Sequence, residues 1–319
     1  MLHFDEAAVH AALTLDRCIP AMRQAMIVLS EGDTLQLPRA MIGMGERRTF
    51  GVMAGALGAD GYFGSKLVSV FADPAQPGRT RHQGLVVLFA GDDGRPLCTL
   101  DAGAVTEVRT AAATAMATAA LARQDADTLA LLGCGRQAFP HLEAIAKVRQ
   151  LRRVLVWGRS PERAAQFARE AEARFGLKIE VGANVQATVA EAEIVCTLTG
   201  ARQSVLEGAW LPPGVHVNLV GSSGPGPTEV DDALVARGRY IVESRENARL
   251  AAAEFINALA AGAVGENHIA AEIGEVLAGR LPGRTSPQQV TVYKSLGHVV
   301  QDLAAAVVVY ERHHPGTPA

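Results

Sequence analysis

Residues Leu131-Leu132-Gly133-Cys134-Gly135-Arg136-Gln137-Ala138 set two glycines and an alanine in a G-x-G-x-x-A spacing. The run follows a β-rich stretch and opens a helix-compatible one. That spacing suits an anion gripped by backbone. Gly133 permits a tight turn, Gly135 lets the main chain approach a pyrophosphate, and Ala138 allows close helix–strand packing. The N–H groups of the helix start, around Arg136 and Gln137, face the phosphates. The setting carries more weight than the motif, because the match lies in a β-loop-α-β unit of the right length, whereas an isolated glycine turn is common. The next β-rich run ends Val156-Trp157-Gly158-Arg159-Ser160-Pro161, where an NAD-binding chain often places an acidic residue for the ribose hydroxyls. Gly158 leaves that carboxylate out. Arg159 offers a guanidinium to a 2′-phosphate, and Ser160 as N-cap with Pro161 at the first helical position opens another helix. NADP is therefore favoured as cofactor, with NAD as the alternative. Thr197 and Thr199, ending a later β-rich run, are further candidates for cofactor contact, since ligands of parallel sheets lie beyond the strands' carboxyl ends.

A second group of residues is cationic. Pro38-Arg39, Gly64-Ser65-Lys66-Leu67-Val68 and Thr106-Glu107-Val108-Arg109-Thr110 each set a positive side chain beside an apolar or helix-starting segment. Arg109 is the most informative. A guanidinium at a helix N-terminus opposes the macrodipole and gains most when an anion sits between them. A substrate carboxylate would be such an anion.

The elements that must position these groups fall into two patterns. From about residue 1 to 120 the chain reads as a mixed domain, with a helical start after Asp5 and strands at Lys66–Phe71, Gly84–Ala90 and Pro96–Asp101. Gly91-Asp92-Asp93-Gly94 suggests a hairpin between the last two. An Ala-rich helix after Thr110 leads into the second pattern. There, β-rich runs at Thr128–Leu132, Val154–Trp157, Ile179–Val181, Ile194–Thr199, Val215–Val220 and Tyr240–Val242 mostly alternate with helix-compatible segments such as Arg136–Val148 and Pro161–Phe175. This alternation predicts an α/β fold: a Rossmann parallel-sheet domain over 121–299 beside a mixed α+β domain over 1–120. The apolar run Ser295–Tyr310 reads as a final helix that either completes this sheet or folds back onto the first domain.

Composition narrows the partners. Lys+Arg 30 against Asp+Glu 33 leave a formal charge of −3, too little of either sign to argue for nucleic acid. Cys18, Cys98, Cys134 and Cys196 are scattered without a CxxC, so no zinc or other metal site is expected and the thiols read as small packed side chains. No signal peptide or membrane span is visible, which points to a cytoplasmic protein acting on a small molecule. Cys134 reads as a small side chain fitting its loop, and His216 as a packed strand residue.

Several strings taken together resemble the ornithine cyclodeaminase and mu-crystallin family over nearly the whole chain. They are His82-Gln83-Gly84, Val105–Ala112, Gly133–Ala138, Gly221-Ser222-Ser223-Gly224-Pro225-Gly226 and Val290-Thr291-Val292-Tyr293-Lys294-Ser295-Leu296-Gly297. The resemblance implies a homodimer joined through the first domains, which would make that domain both substrate-binding and dimerising, with the C-terminal helix returning to it, so that 300–319 join 1–120. Carried over position by position, it makes Arg39, Lys66 and Arg109 the substrate's carboxylate-binding cations. The family's cyclodeaminases carry an aspartate in the glycine-proline loop for the substrate's distal amine; this chain carries Ser223 there. A hydroxyl lacks the charge and basicity that role needs at pH 7. The expected reaction is therefore NAD(P)H-dependent reduction of a cyclic α-imino acid, of the pyrroline-2-carboxylate or piperideine-2-carboxylate type. Lys66 and Ser223 are its catalytic candidates, with Ser223 orienting the imine nitrogen or a proton-donating water. Ornithine cyclodeamination and non-catalytic ligand binding of the mu-crystallin kind are the alternatives.

Overall fold

The computed structural model describes residues 1–46, 48–72 and 80–314. In chain order the elements begin β1 Leu2–Phe4, α1 Glu6–Ala12, α2 Leu15–Glu31, β2 Leu35–Gln36, β3 Ala40–Gly43, β4 Arg48–Ala56, β5 Phe63–Ala72, β6 Thr80–Phe89, β7 Pro96–Asp101 and α3 Ala102–Leu121. They continue β8 Thr128–Leu132, α4 Ala138–Val148, β9 Arg153–Trp157, α5 Pro161–Phe175, β10 Ile179–Val181, α6 Val185–Val189, β11 Ile194–Thr197 and β12 His216–Leu219. The last are α7 Asp232–Arg237, β13 Arg239–Val242, α8 Arg245–Ala251, α9 Ala253–Ala260, β14 Ile269–Glu272, α10 Ile273–Leu277, β15 Thr291–Lys294 and α11 Val299–His313. Two compact units result, Met1–Ala112 with His298–Ala319, and Ala113–Gly297.

The first unit holds a seven-stranded sheet in the order β1-β7-β6-β5-β4-β2, with β3 also paired to β4. Neighbours are antiparallel except β1 beside β7. The hairpin around Gly91–Gly94 joins β6 to β7 as the turn residues predict. Helix α2 buries Cys18, Met22, Ala25, Met26 and Leu29, an apolar stripe at helical spacing, and stops at Gly32, whose φ of +82° is the left-handed cap that favours glycine. α11 packs on α2 and on β4 to β6, closing the core over one face of the sheet. Its start is fixed by a capping box between His298 and Gln301. The Asp101 carboxylate accepts from Ala104 N at 2.7 Å and so caps α3 directly after β7. The helix therefore begins at Ala102, ahead of the Ala-rich run that announced it.

The second unit is an eight-stranded parallel sheet in the order β10-β9-β8-β11-β12-β15-β13-β14. The chain runs outward from β8 to β10 and then returns to β11, so the strand order reverses between β8 and β11. In such sheets this reversal opens a crevice beyond the carboxyl ends, where ligands bind. Strands buried on both faces read as apolar runs, and Leu129–Leu132, Val154–Val156, Val195 and Val217 are buried accordingly. Among the described residues no helix is long and apolar enough to cross a membrane.

Candidate active site

The first unit brings two of the three predicted cations onto one carboxylate. Lys66 on β5 lies opposite Met53 of β4 and Val86 of β6, both buried, so register carries its side chain to the same face of the sheet. There Nζ donates to Asp302 Oδ1 at 3.0 Å and to Thr106 Oγ1 at 2.5 Å. Arg109, one helical turn after Thr106 on α3, donates through Nε to the same Asp302 oxygen at 3.0 Å and through Nη1 to Gln301 Oε1 at 2.8 Å. Lys66, Arg109 and Asp302 are all buried. Burial drives the Lys66 pKa down to about 8, against the pull of Asp302. Burial also pushes the Asp302 carboxyl up, but the charges of Arg109 and Lys66 outweigh it and hold Asp302 below the ordinary carboxylate range. Arg39, half-buried between β2 and β3, is near enough for its charge to depress Lys66 further.

Two cations against one carboxylate leave this cluster with an excess positive charge. Lys66 has spent two of its three ammonium donors, and the Nη2 group of Arg109 has no hydrogen-bond partner among the described residues. The expectation for Arg109 is corrected in one respect. It lies two turns inside α3, not at the helix start, so the macrodipole argument does not apply to it. Burial against Asp302 is what marks it. Asp302 is not among the expected residues, although an acid set among Val299, Val300, Leu303 and Ala306 on the buried face of α11 is a readable signal.

In the second unit the glycine loop leaves β8 at the reversal point. Gly133 has φ +118°, and a Cβ on it would stand 2.6 Å from the Leu198 carbonyl oxygen, so conformation and space both require glycine. Gly135 differs. Its φ is unexceptional and a Cβ would meet nothing within 4 Å, so the protein itself does not need glycine there. A phosphate pressed against the backbone would. Ala138 is fully buried at the first turn of α4. Arg136 is exposed and Gln137 half-buried on the loop. This backbone cradle, with a helix start behind it, fits a dinucleotide pyrophosphate. Past β9, Gly158 is half-buried and Arg159 exposed, and Ser160 caps α5 with Pro161 at its first position. The Ser160 hydroxyl also donates to Glu162 Oε2 at 2.7 Å.

Beyond β11 and β12 the strand ends are tied by a buried acid. Glu229 Oε1 accepts from Thr199 N and Oγ1, both at 2.7 Å, while Oε2 accepts from Thr197 Oγ1 at 2.6 Å and Gly221 N at 2.7 Å. Burial raises the Glu229 pKa, and these donors oppose the rise. Thr197 is fully buried with its hydroxyl on Glu229, so any contact of this residue with the cofactor falls to its backbone. Thr199 is half-buried and also bonded to Glu229. Lys294 of β15 donates to Ser222 O at 2.5 Å and Ser222 Oγ at 2.6 Å and pairs with Glu254 at 2.9 Å, all three residues buried. Two strings separated by some seventy residues are thus bonded, and Ser223, exposed, follows the anchored Ser222. Glu229, Glu254 and Lys294 gave no sequence signal beyond the presence of Lys294 in one string. His216 is fully buried between Thr291 and Asn218, and the side chain of His82 lies outside the described residues.

Comparison with known proteins bears on what this arrangement serves. A family model described as the ornithine cyclodeaminase/mu-crystallin family matches residues 3–317. The chain is 34% identical over 302 residues to the ketimine reductase mu-crystallin of Mus musculus, covering 93% of this chain and 92% of that protein. It superposes on the Δ1-pyrroline-2-carboxylate reductase of Thermococcus litoralis, solved with NADH and L-proline, at a TM-score of 0.93 and 27% identity, covering 100% of both chains. It also superposes on an archaeal alanine dehydrogenase dimer with bound NAD at a TM-score of 0.91 and 29% identity, covering 98% of this chain and 96% of that one.

Proposed function

The chain belongs to the ornithine cyclodeaminase/mu-crystallin family, and from that membership we propose that it reduces a cyclic α-imino acid with a nicotinamide dinucleotide. Pyrroline-2-carboxylate or piperideine-2-carboxylate is the type of substrate. The observation that carries this reading is the buried Lys66–Asp302–Arg109 cluster with its excess positive charge and remaining donors. A small carboxylate balances both. Family membership leaves several reactions open, and Ser223 narrows them: a neutral hydroxyl gives no counter-charge to the distal ammonium of ornithine, whereas a cyclic imine has no such group.

When bound, the dinucleotide supplies the hydride. The chain's residues do the rest. Arg39, Lys66 and Arg109 hold the carboxylate and so orient the adjacent C=N carbon. The Ser223 hydroxyl orients the imine nitrogen, or a water that gives it a proton, so that the product gains one C–H and one N–H bond. The first unit thus serves substrate binding and the second the dinucleotide. NADP is the preferred form, supported by the missing carboxylate at Gly158 and by Arg159, which is exposed and makes no ion pair with a described residue. The setting is the cytoplasm, where thiols such as the four free cysteines stay reduced.

The working form is a homodimer. Leu35, Leu37, Met41 and Ile42, around β2 and β3, are between 51% and 70% exposed, a cluster that a monomer seldom leaves in water, and a second copy is the occupant that the dimeric archaeal relative suggests. Light scattering should give twice the chain mass, and Ile42→Glu should shift it toward the monomer. The reaction is tested by following NADPH oxidation with five- and six-membered cyclic imino acids beside pyruvate with ammonia. Turnover confined to the acyclic pair would replace the cyclic substrate by an alanine-type one.

A further inference from the structure

Gly158 is a glycine whose backbone does not ask for one, since its φ lies outside the left-handed region. What it spares is a collision. A Cβ at this position would stand 2.7 Å from Cys134 Sγ, while the next atoms, on Ala164 and Ser160, are 3.7 Å away. A relaxed contact between such atoms needs roughly 3.5–4.0 Å. The two residues belong to neighbouring strand ends, Cys134 two residues past β8 and Gly158 one past β9, and Leu132 pairs with Trp157 in the sheet. Gly133 N donates to the Trp157 carbonyl at 2.7 Å, which clamps those ends together. The sulfur is one bond from its own Cβ and has no long arm to retract, so relief requires another Cys134 rotamer or movement of a clamped loop.

We propose that Cys134 is a determinant of cofactor choice: its sulfur fills the space that any side chain at position 158 must enter, and so excludes the ribose-binding carboxylate that NAD-selective chains place there. Arg159 is then left to meet a 2′-phosphate. This last step rests on the NADP reading given above, whereas the steric coupling of 134 to 158 does not. Cys134 acts here through shape and needs no redox chemistry. The remaining cysteines, Cys18, Cys98 and Cys196, are buried away from solvent, and only Cys134 is half-exposed.

The test is a double-mutant cycle on the full chain with Gly158→Asp, Cys134→Ala and the two combined. Dissociation constants for NADH and NADPH are measured by titration without substrate, and thermal midpoints are recorded alongside. Gly158→Asp alone should weaken both cofactors, and adding Cys134→Ala should restore NADH affinity by about tenfold while NADPH stays weak. Should Gly158→Asp not fold, Gly158→Ala adds only the Cβ; it should lower the thermal midpoint, and Cys134→Ala should recover it. Additive effects, with NADH bound as tightly by Gly158→Asp as by the combined variant, or a Gly158→Ala midpoint indifferent to Cys134, would overturn the proposal. Equal affinity of the unmodified protein for NADH and NADPH would overturn the NADP reading instead, and leaves the coupling to be decided by the cycle.

Discussion

Lys66 Nζ lies 3.0 Å from Asp302 Oδ1 with both side chains buried, which makes the aspartate the partner that keeps Lys66 and its neighbouring cation charged in the core. Arg109 shares the same oxygen. Asp302→Asn keeps the shape and removes the charge, leaving two buried cations without their counter-ion. Loss of one partner from a buried pair costs about 3–5 kcal/mol, so the urea midpoint should fall markedly. An unchanged midpoint would mean that the cations are balanced by other groups.

The position of Lys66 also sets a pH limit. With its pKa brought down to about 8 by burial, Lys66 begins to lose its proton there in the free protein. kcat/KM for an imino acid should therefore decline above about pH 8, through KM more than kcat, as one carboxylate-binding charge disappears. Lys66→Arg, which stays protonated, should move that decline to higher pH. The imine's own titration is common to both proteins, so identical profiles for the two would remove Lys66 from carboxylate binding.

Arg109→Ala should lower kcat/KM by about 10- to 100-fold, the loss expected for a hydrogen bond to a charged group, while dinucleotide affinity changes little. The residue lies in the first unit and the glycine loop in the second. A variant that turned over imino acid at the unmodified rate would refute the assignment.

Much of the dinucleotide side was legible because its function is written in backbone requirements. Gly133, Gly135, Ala138 and the Ser160–Pro161 helix start are local features, and local spacing reveals them. The buried cluster of the first unit was legible only as scattered cations. Asp302, which joins Lys66 and Arg109, lies 193 residues beyond Arg109, and no short-range pattern connects them. Strand β15 was missed for a related reason: Thr291 and Lys294 look too polar for a buried strand, and become acceptable only through distant partners, Thr291 bonding His216 and Lys294 pairing with Glu254. The start of α3 lies ahead of its alanine-rich run because it is set by the Asp101 cap, a local signal masked by the strand that ends at the same residue.

Two buried histidines predict acid sensitivity. Burial lowers the pKa of His141 to about 4 and of His216 to about 3. In the unfolded chain both protonate near pH 6.5. Above that value neither state carries the extra protons and stability is whole. As pH falls below it the unfolded chain takes up protons first, and stability drains until the folded pKa values are passed. By pH 5 each histidine should cost about 1–2 kcal/mol, read as a lower urea midpoint than at pH 7. His141→Gln should reduce the difference, and a midpoint independent of pH over this range would show that the histidines are not held neutral.

Reduction of a cyclic imino acid in preference to ornithine cyclodeamination turns on what Ser223 can and cannot do. A cyclodeaminase must hold a cationic amine and take its proton, and at pH 7 a hydroxyl offers neither charge nor basicity for that. Ser223→Ala should weaken reduction only moderately, since serine orients without being the sole support. The most direct measurement supplies pyrroline-2-carboxylate with NADPH deuterated at the transferable C4 position, and in parallel ornithine with NAD. Proline carrying deuterium at Cα is expected in the first reaction and no appreciable ammonia in the second. Steady ammonia release from ornithine, with no label reaching proline, would contradict it and assign the chain to the lyase branch.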